Sequence, residues 1–274
     1  PELWFRVSTT LFPGFAPEAI TFMNRDRTFA EMEMMRDLAR AFGVALGKAS
    51  DVISPIVRAV RHSSVRASDA GDAGVLELGL RFFNNFLREA VKRRDLHAAY
   101  DILFQYRYLA ESIAGRRPDL LPRIIGHMDF YGRGAAASGM PFAFDLAAYD
   151  SGSIVAAAAR HDPGHLDAVL DAFLNIKPVN RSGEHHALTL GMVKARLILA
   201  AELKRTGHGP HAERTMKSLN GIDQSVLACA KRDLLDSSEE TFFEVTDRQQ
   251  NLDWLPAENR PIVGQMFASL EIGA

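Results

Sequence analysis

Gly74-Val75-Leu76-Glu77-Leu78-Gly79-Leu80-Arg81-Phe82-Phe83-Asn84-Asn85-Phe86-Leu87-Arg88-Glu89-Ala90, running on to Arg94-Asp95, is the stretch whose reading decides the fold. Val75, Leu78, Phe82, Phe86 and Ala90 recur at three- and four-residue steps with polar residues between them, the period of an amphipathic helix. Asp95 then has the chemistry of an N-cap, and a second stripe follows through Ala99, Ile102, Leu103, Tyr106, Leu109, Ala110 and Ile113. Gly115 and Pro118 end it. So short a connection makes the two helices antiparallel, a helical hairpin. Phe82, Phe86, Ile102, Leu103 and Tyr106 are the expected interface.

The same grammar extends in both directions. Residues 28–48 read as a helix with Phe29, Met32, Met35, Ala39, Phe42 and Leu46 inward. Ser50 or Asp51 caps the next helix, whose first turn holds Pro55 or is kinked by it. Helices are expected over 119–139 and 140–160, divided by Gly139 and Pro141. Asp162-Pro163 is an N-cap and N1 signature for a helix through Ile176. Residues 178–183 read as a loop, and further helices are expected over 184–205, 210–219, 221–236 and 239–250. Ala200, Leu203, Gly207, Ala212, Met216 and Leu219 have the small-large-small arrangement of a tetratricopeptide-like pair. No fixed period links this pair to the one at 74–114, so the expected architecture is an all-α, irregular stack of antiparallel hairpins, solenoid-like. Segments of β-type alternation are nearly absent, Leu3–Val7 being the one short candidate.

One helical domain is expected over 1–274, with a subdivision near 177–184. The last part, 241–274, holds Phe242, Phe243, Val245, Leu252, Trp254, Leu255, Ile262, Val263, Met266 and Phe267, too many large apolar groups for a free tail. It is expected to fold back, ending in a short helix over 260–270.

Composition bounds the function. Lys and Arg number 32 against 34 Asp and Glu, a net charge of −2, which lacks the cationic excess of a dedicated nucleic-acid binder. The lone Cys229 excludes an intrachain disulfide. The most apolar stretch, Leu188–Leu203, is interrupted by Lys194, Arg196 and Glu202, so the chain has no transmembrane segment. Residues 221–274 carry 10 acidic against 4 basic side chains, either a solvated acidic face or a surface for a basic partner.

The most enzyme-like string is Arg160-His161-Asp162-Pro163-Gly164-His165, which resembles the His-Asp pair of the all-helical HD-type metal phosphohydrolases. That resemblance implies a metal held by His127, His161, Asp162 and Asp233 (or Asp223), with imidazole and carboxylate ligands activating water. Against it stand Ala159 and Arg160 before the pair and Pro163 after it, and a plain helix start explains the same residues. A non-catalytic role without cofactor is therefore the expectation. All five tyrosines fall between residues 100 and 149. Tyr106, Arg107, Tyr131, Arg133, Tyr149 and Asp150 are the candidate binding residues, since phenols and arginines are favoured at recognition surfaces.

The strings Leu80-Arg81-Phe82-Phe83-Asn84-Asn85-Phe86-Leu87, Asp95-Leu96-His97-Ala98-Ala99-Tyr100, Gln105-Tyr106-Arg107, Met140-Pro141-Phe142, Ala148-Tyr149-Asp150, Phe243-Glu244-Val245-Thr246-Asp247-Arg248 and Asn251-Leu252-Asp253-Trp254-Leu255-Pro256 carry a further resemblance. On these the chain resembles the soluble helical portion of an uncharacterised family of predicted bacterial membrane proteins. The resemblance implies a cytoplasmic helical domain at the inner face of the cytoplasmic membrane, with membrane helices preceding Pro1 in the full-length protein. It implies no reaction. A protein partner or self-association is expected.

Overall fold

In the computed structural model, the described residues are 50–177, 185–236, 242–245, 248–251 and 255–272. The helix expected over 28–48, the strand candidate Leu3–Val7, the loop at 178–183 and Trp254 lie outside them. The chain divides into two compact units at Arg117 and Pro118. Both are built of helices, and the protein is all-α.

Aspartates start the helices of the first unit. Helix α1 is Ser50–Asp69, α2 is Ala73–Arg93 and α3 is Leu96–Ile113. The Asp72 carboxylate accepts from the Val75 N–H at 3.0 Å and that of Asp95 from Ala98 at 2.9 Å, each satisfying a donor that the first helical turn leaves open. Arg94, at φ 57°, takes the left-handed conformation that closes α2, and its N–H is shared between the carbonyls of Ala90 and Val91. The three helices pack against one another in all pairs.

The buried face of α2 keeps Phe86 and Ala90 of the expected stripe but is wider than it and centred off it. Leu76, Leu80, Phe83 and Leu87 are buried to 1% exposure or less, whereas Val75, Leu78 and Phe82 are half-buried. The cause is that α2 has two neighbours, α1 and α3, so its inward face is wider than a hairpin requires. Phe83 stacks on Tyr106 with ring centroids 4.7 Å apart and planes 7° from parallel. Against α1 the backbones approach closely: a Cβ on Gly79 would lie 1.8 Å from Ser64 Oγ.

In the second unit, α4 is Leu121–Ala137, α5 Pro141–His161, α6 Leu166–Leu174, α7 His185–Arg205, α8 Gly209–Lys217, α9 Gln224–Lys231 and α10 Arg260–Ile272. A wide π-turn, Arg232–Asp236, continues α9. Helix α5 packs on α4, α6 and α7, and α7 packs on α5, α8, α9 and α10. These two are apolar around most of their circumference because neighbours surround them. Ala200, Leu203, Ala212 and Leu219 of the tetratricopeptide-like pattern are all buried at 3% exposure or less.

Where a helix was expected over 239–250, the chain instead pairs β1, Phe242–Val245, with β2, Arg248–Asn251, antiparallel, with Val245 opposite Arg248. Two aromatic residues and a valine favour a strand. Beyond it Leu255, Val263, Met266 and Phe267 are buried in one cluster with Val193, Leu197, Ala200 and Ala201 of α7.

Each polar residue that interrupts the apolar run of α7 has a structural task. Arg196, 5% exposed, donates to the carbonyls of Leu174, Ile176 and Ser218, each at 3.0 Å, and so ties α7 to the C-terminal ends of α6 and α8. Lys194 pairs with Asp233 at 3.2 Å. Glu202 accepts from Arg205 at 2.7 Å, from Arg160 at 3.3 Å and from Asn259, just before α10, at 3.1 Å. Burial would raise the Glu202 pKa, but hydrogen bonds from Arg205 and Asn259, with the charges of Arg205 and Arg160, outweigh it and hold the carboxyl below its ordinary range.

Candidate functional site

The residues of the metal reading are occupied separately. Asp162 closes α5, and its side chain accepts from the Gly164 N–H at 3.0 Å and lies 3.1 Å from Nδ1 of His165. That is the geometry of a helix start, with the carboxylate facing its own turn. Asp233 is paired with Lys194. His127 is on α4 and His161 ends α5. Among the described residues no three His, Cys, Asp or Glu side chains are grouped to hold a metal ion.

The six candidate binding residues fall on both units. In the first, Tyr106 is fully buried and stacked on Phe83. Arg107 next to it is largely buried, its side chain 12% exposed. Its guanidinium lies 4.7 Å from the centre of the Phe104 ring and 4.8 Å from that of Tyr108, and it pairs with Glu111 at 3.6 Å. Two aromatic faces and a carboxylate fix this cation in one orientation.

In the second unit, Asp150 is fully buried and Tyr149 half-buried on α5. Tyr131 is 8% exposed and lies edge-on to Phe130, with centroids 5.0 Å apart. Phe130 is the outlier: its side chain is 66% exposed, and among the described large hydrophobic residues Leu96 at 36% is the other exposed one. On α4 the positions of Arg123, Gly126, Phe130 and Arg133 share an outward face, and all four are exposed. Arg133 is hydrogen-bonded to Asp129 one turn back. Burial pushes the Asp129 carboxyl up, and Arg133 opposes that shift. Phe130 is thus a solvent-facing phenylalanine edge-on to a buried tyrosine, with arginines on either side along the helix.

Two features, one in each unit, were not singled out by sequence reasoning. Phe130 resembles any other aromatic in a helical stripe until its neighbours are placed. The cationic face of α1, with Arg58, Arg61, His62 and Arg66 at helical spacing, was readable from the sequence but is overshadowed by the near-neutral total charge.

The fold and this surface define a class, an all-α protein with an exposed aromatic–arginine face. Comparison with known proteins finds no matching family, no matching curated protein and no matching solved structure. No helix among the described residues is long and apolar enough to cross a membrane.

Proposed function

We propose that the chain is a non-catalytic helical interaction module that docks a protein partner, or a second copy of itself, through the Phe130 face of α4. The observation that carries this reading is the 66% exposure of Phe130 between Arg123 and Arg133, in a chain that buries its other phenylalanines on the described helices wholly or in part. Truncating a docked aromatic of this kind removes a large share of an interface's free energy. The resemblance to the family of predicted bacterial membrane proteins extends the reading: the module is the cytosolic, sensory part of a membrane-attached bacterial protein. Its partner then meets it at the inner face of the cytoplasmic membrane.

The test places a photo-crosslinking phenylalanine analogue at position 130, with the exposed Glu213 on α8 as the control position. Irradiation of cells expressing the full-length protein is expected to give a discrete protein adduct at 130, or a dimer of the chain, and none at 213. Adducts at 130 no stronger than at 213 overturn the reading.

A further inference from the structure

The outward side of α1 presents Arg58, His62 and Arg66 exposed, with Arg61 half-buried at their edge. From Arg58 to Arg66 the stripe runs about 12 Å along the helix at 1.5 Å per residue. Arg61 is held at two points. Its guanidinium lies 5.5 Å from the centre of the Tyr108 ring on α3, the same ring that Arg107 approaches at 4.8 Å. Nη2 of Arg61 also donates to Nε2 of His62 at 2.8 Å. Arginine carries donors alone, so Nε2 is the acceptor and the imidazole is neutral, with its proton on Nδ1.

The surroundings agree with that protonation state. Burial, then Arg58, lowers the Arg61 pKa, with the Tyr108 phenol opposing; burial, then Arg61, Arg58 and Arg66, lowers that of His62. Among the described residues the charges acting on His62 all lie on α1 itself. Neither α2 nor α3, the two helices packed on α1, contributes one. Cations gathered with a neutral histidine that accepts from one of them form a face that an anion relieves.

We propose that this face binds a carboxylate-rich segment of a partner protein, whose carboxylate replaces His62 as the acceptor for Arg61 while His62 takes up a proton from solvent. The guanidinium fork matches a carboxylate bidentately. Charges spread over about two helical turns suit several carboxylates along an extended peptide better than one compact phosphate. A lipid surface is disfavoured because the large hydrophobic residues exposed among the described ones, Leu96 and Phe130, are on other helices. A nucleic acid is disfavoured by the net charge of −2. The site is independent of Phe130, so either proposal can fail without the other.

The experiment titrates the whole chain at low ionic strength with a hexaglutamate peptide and follows the His62 imidazole by NMR. Saturable binding is expected, with the His62 pKa rising on binding and affinity increasing as pH falls from about 7.5 to 5.5. Arg61→Gln should weaken binding by about tenfold and the exposed Arg66→Gln by about threefold, both with an unchanged circular-dichroism spectrum. His62→Gln should keep binding and lose its pH dependence. Absence of saturable binding overturns the proposal, as does binding that neither arginine substitution weakens. Tighter binding of inorganic phosphate, of phosphatidylserine vesicles or of a DNA hexamer overturns it too.

Discussion

Asp145 and Arg196 are both charged groups drawn into the second unit, and they differ in what meets them there. The Nη atoms of Arg196 find three carbonyls at 3.0 Å, so charge-assisted hydrogen bonds offset most of the cost of its burial, its Nε alone lacking a partner among the described residues. Asp145 on α5 lies against α7 where only the missing side chain of Gly191 leaves room: a Cβ there would lie 1.9 Å from Asp145 Oδ1. That oxygen has no hydrogen-bond partner among the described residues. Desolvation raises its pKa from 3.8 to about 7, against the opposing charge of Lys194. The folded chain therefore holds a proton that the unfolded chain has already lost. Stability is greatest below the unfolded value and falls as pH rises towards 7, by on the order of 4 kcal/mol in all at about 1.4 kcal/mol per pKa unit. Asp145→Asn should remove that slope and leave the variant more stable than the natural chain at pH 8. Urea midpoints of the two proteins at pH 5, 6, 7 and 8 check this, and parallel curves would contradict it. Asp145 was visible in the sequence as a polar group among aromatics, but its environment depends on a glycine 46 residues away on another helix.

Between neighbouring helices, the informative comparison is Phe82 against Phe83. Sequence periodicity alone favours Phe82 and Phe86, because a single hairpin needs one narrow stripe. With α1 on one side and α3 on the other, α2 turns Phe83 to 0% exposure and leaves Phe82 half out, its ring 5.8 Å from that of Phe86. Phe83→Ala and Phe86→Ala should each cost about 3–5 kcal/mol, whereas Phe82→Ala should cost less than about half of that. Thermal denaturation of the three variants ranks them, and equal losses would show that the face is wrongly assigned. Existence and type of the helices from 50 to 231 were legible from their apolar period and from Asp95 and Asp162, which mark starts that the structure uses; Asp72 and Asp223, which cap two more, were not read as starts. The hairpin at 242–251 was not. Phe242, Phe243 and Val245 fit a helical stripe as readily as a strand, and only the pairing with Arg248–Asn251 decides between them.

For the molecule as a whole, the chain beyond the hairpin matters most, because it returns to α7, the helix that packs on α5, α8, α9 and α10. Leu255, Val263, Met266 and Phe267 join Val193, Leu197, Ala200 and Ala201 in one cluster, and Asn259, 1% exposed, is hydrogen-bonded to Glu202 on α7. Burying each large apolar side chain contributes about 1.5–3 kcal/mol, so four of them together approach the whole stability of a typical domain. Truncation after Asp247 would strip one flank of α7, expose Val193 and Leu197, and leave the half-buried Glu202 carboxylate without its amide donor. Cooperative unfolding of the second unit should then be lost, with dye-binding hydrophobic surface and aggregation in its place. The first unit has its own core around Phe83 and Tyr106. A residual melting transition from residues before Pro118 is therefore the expected remainder. Calorimetry separates the outcomes: two transitions reduced to one support this division, whereas an undiminished transition for the second unit, accompanied only by loss of self-association, would mean that 248–274 serves as a docking strip and not as core.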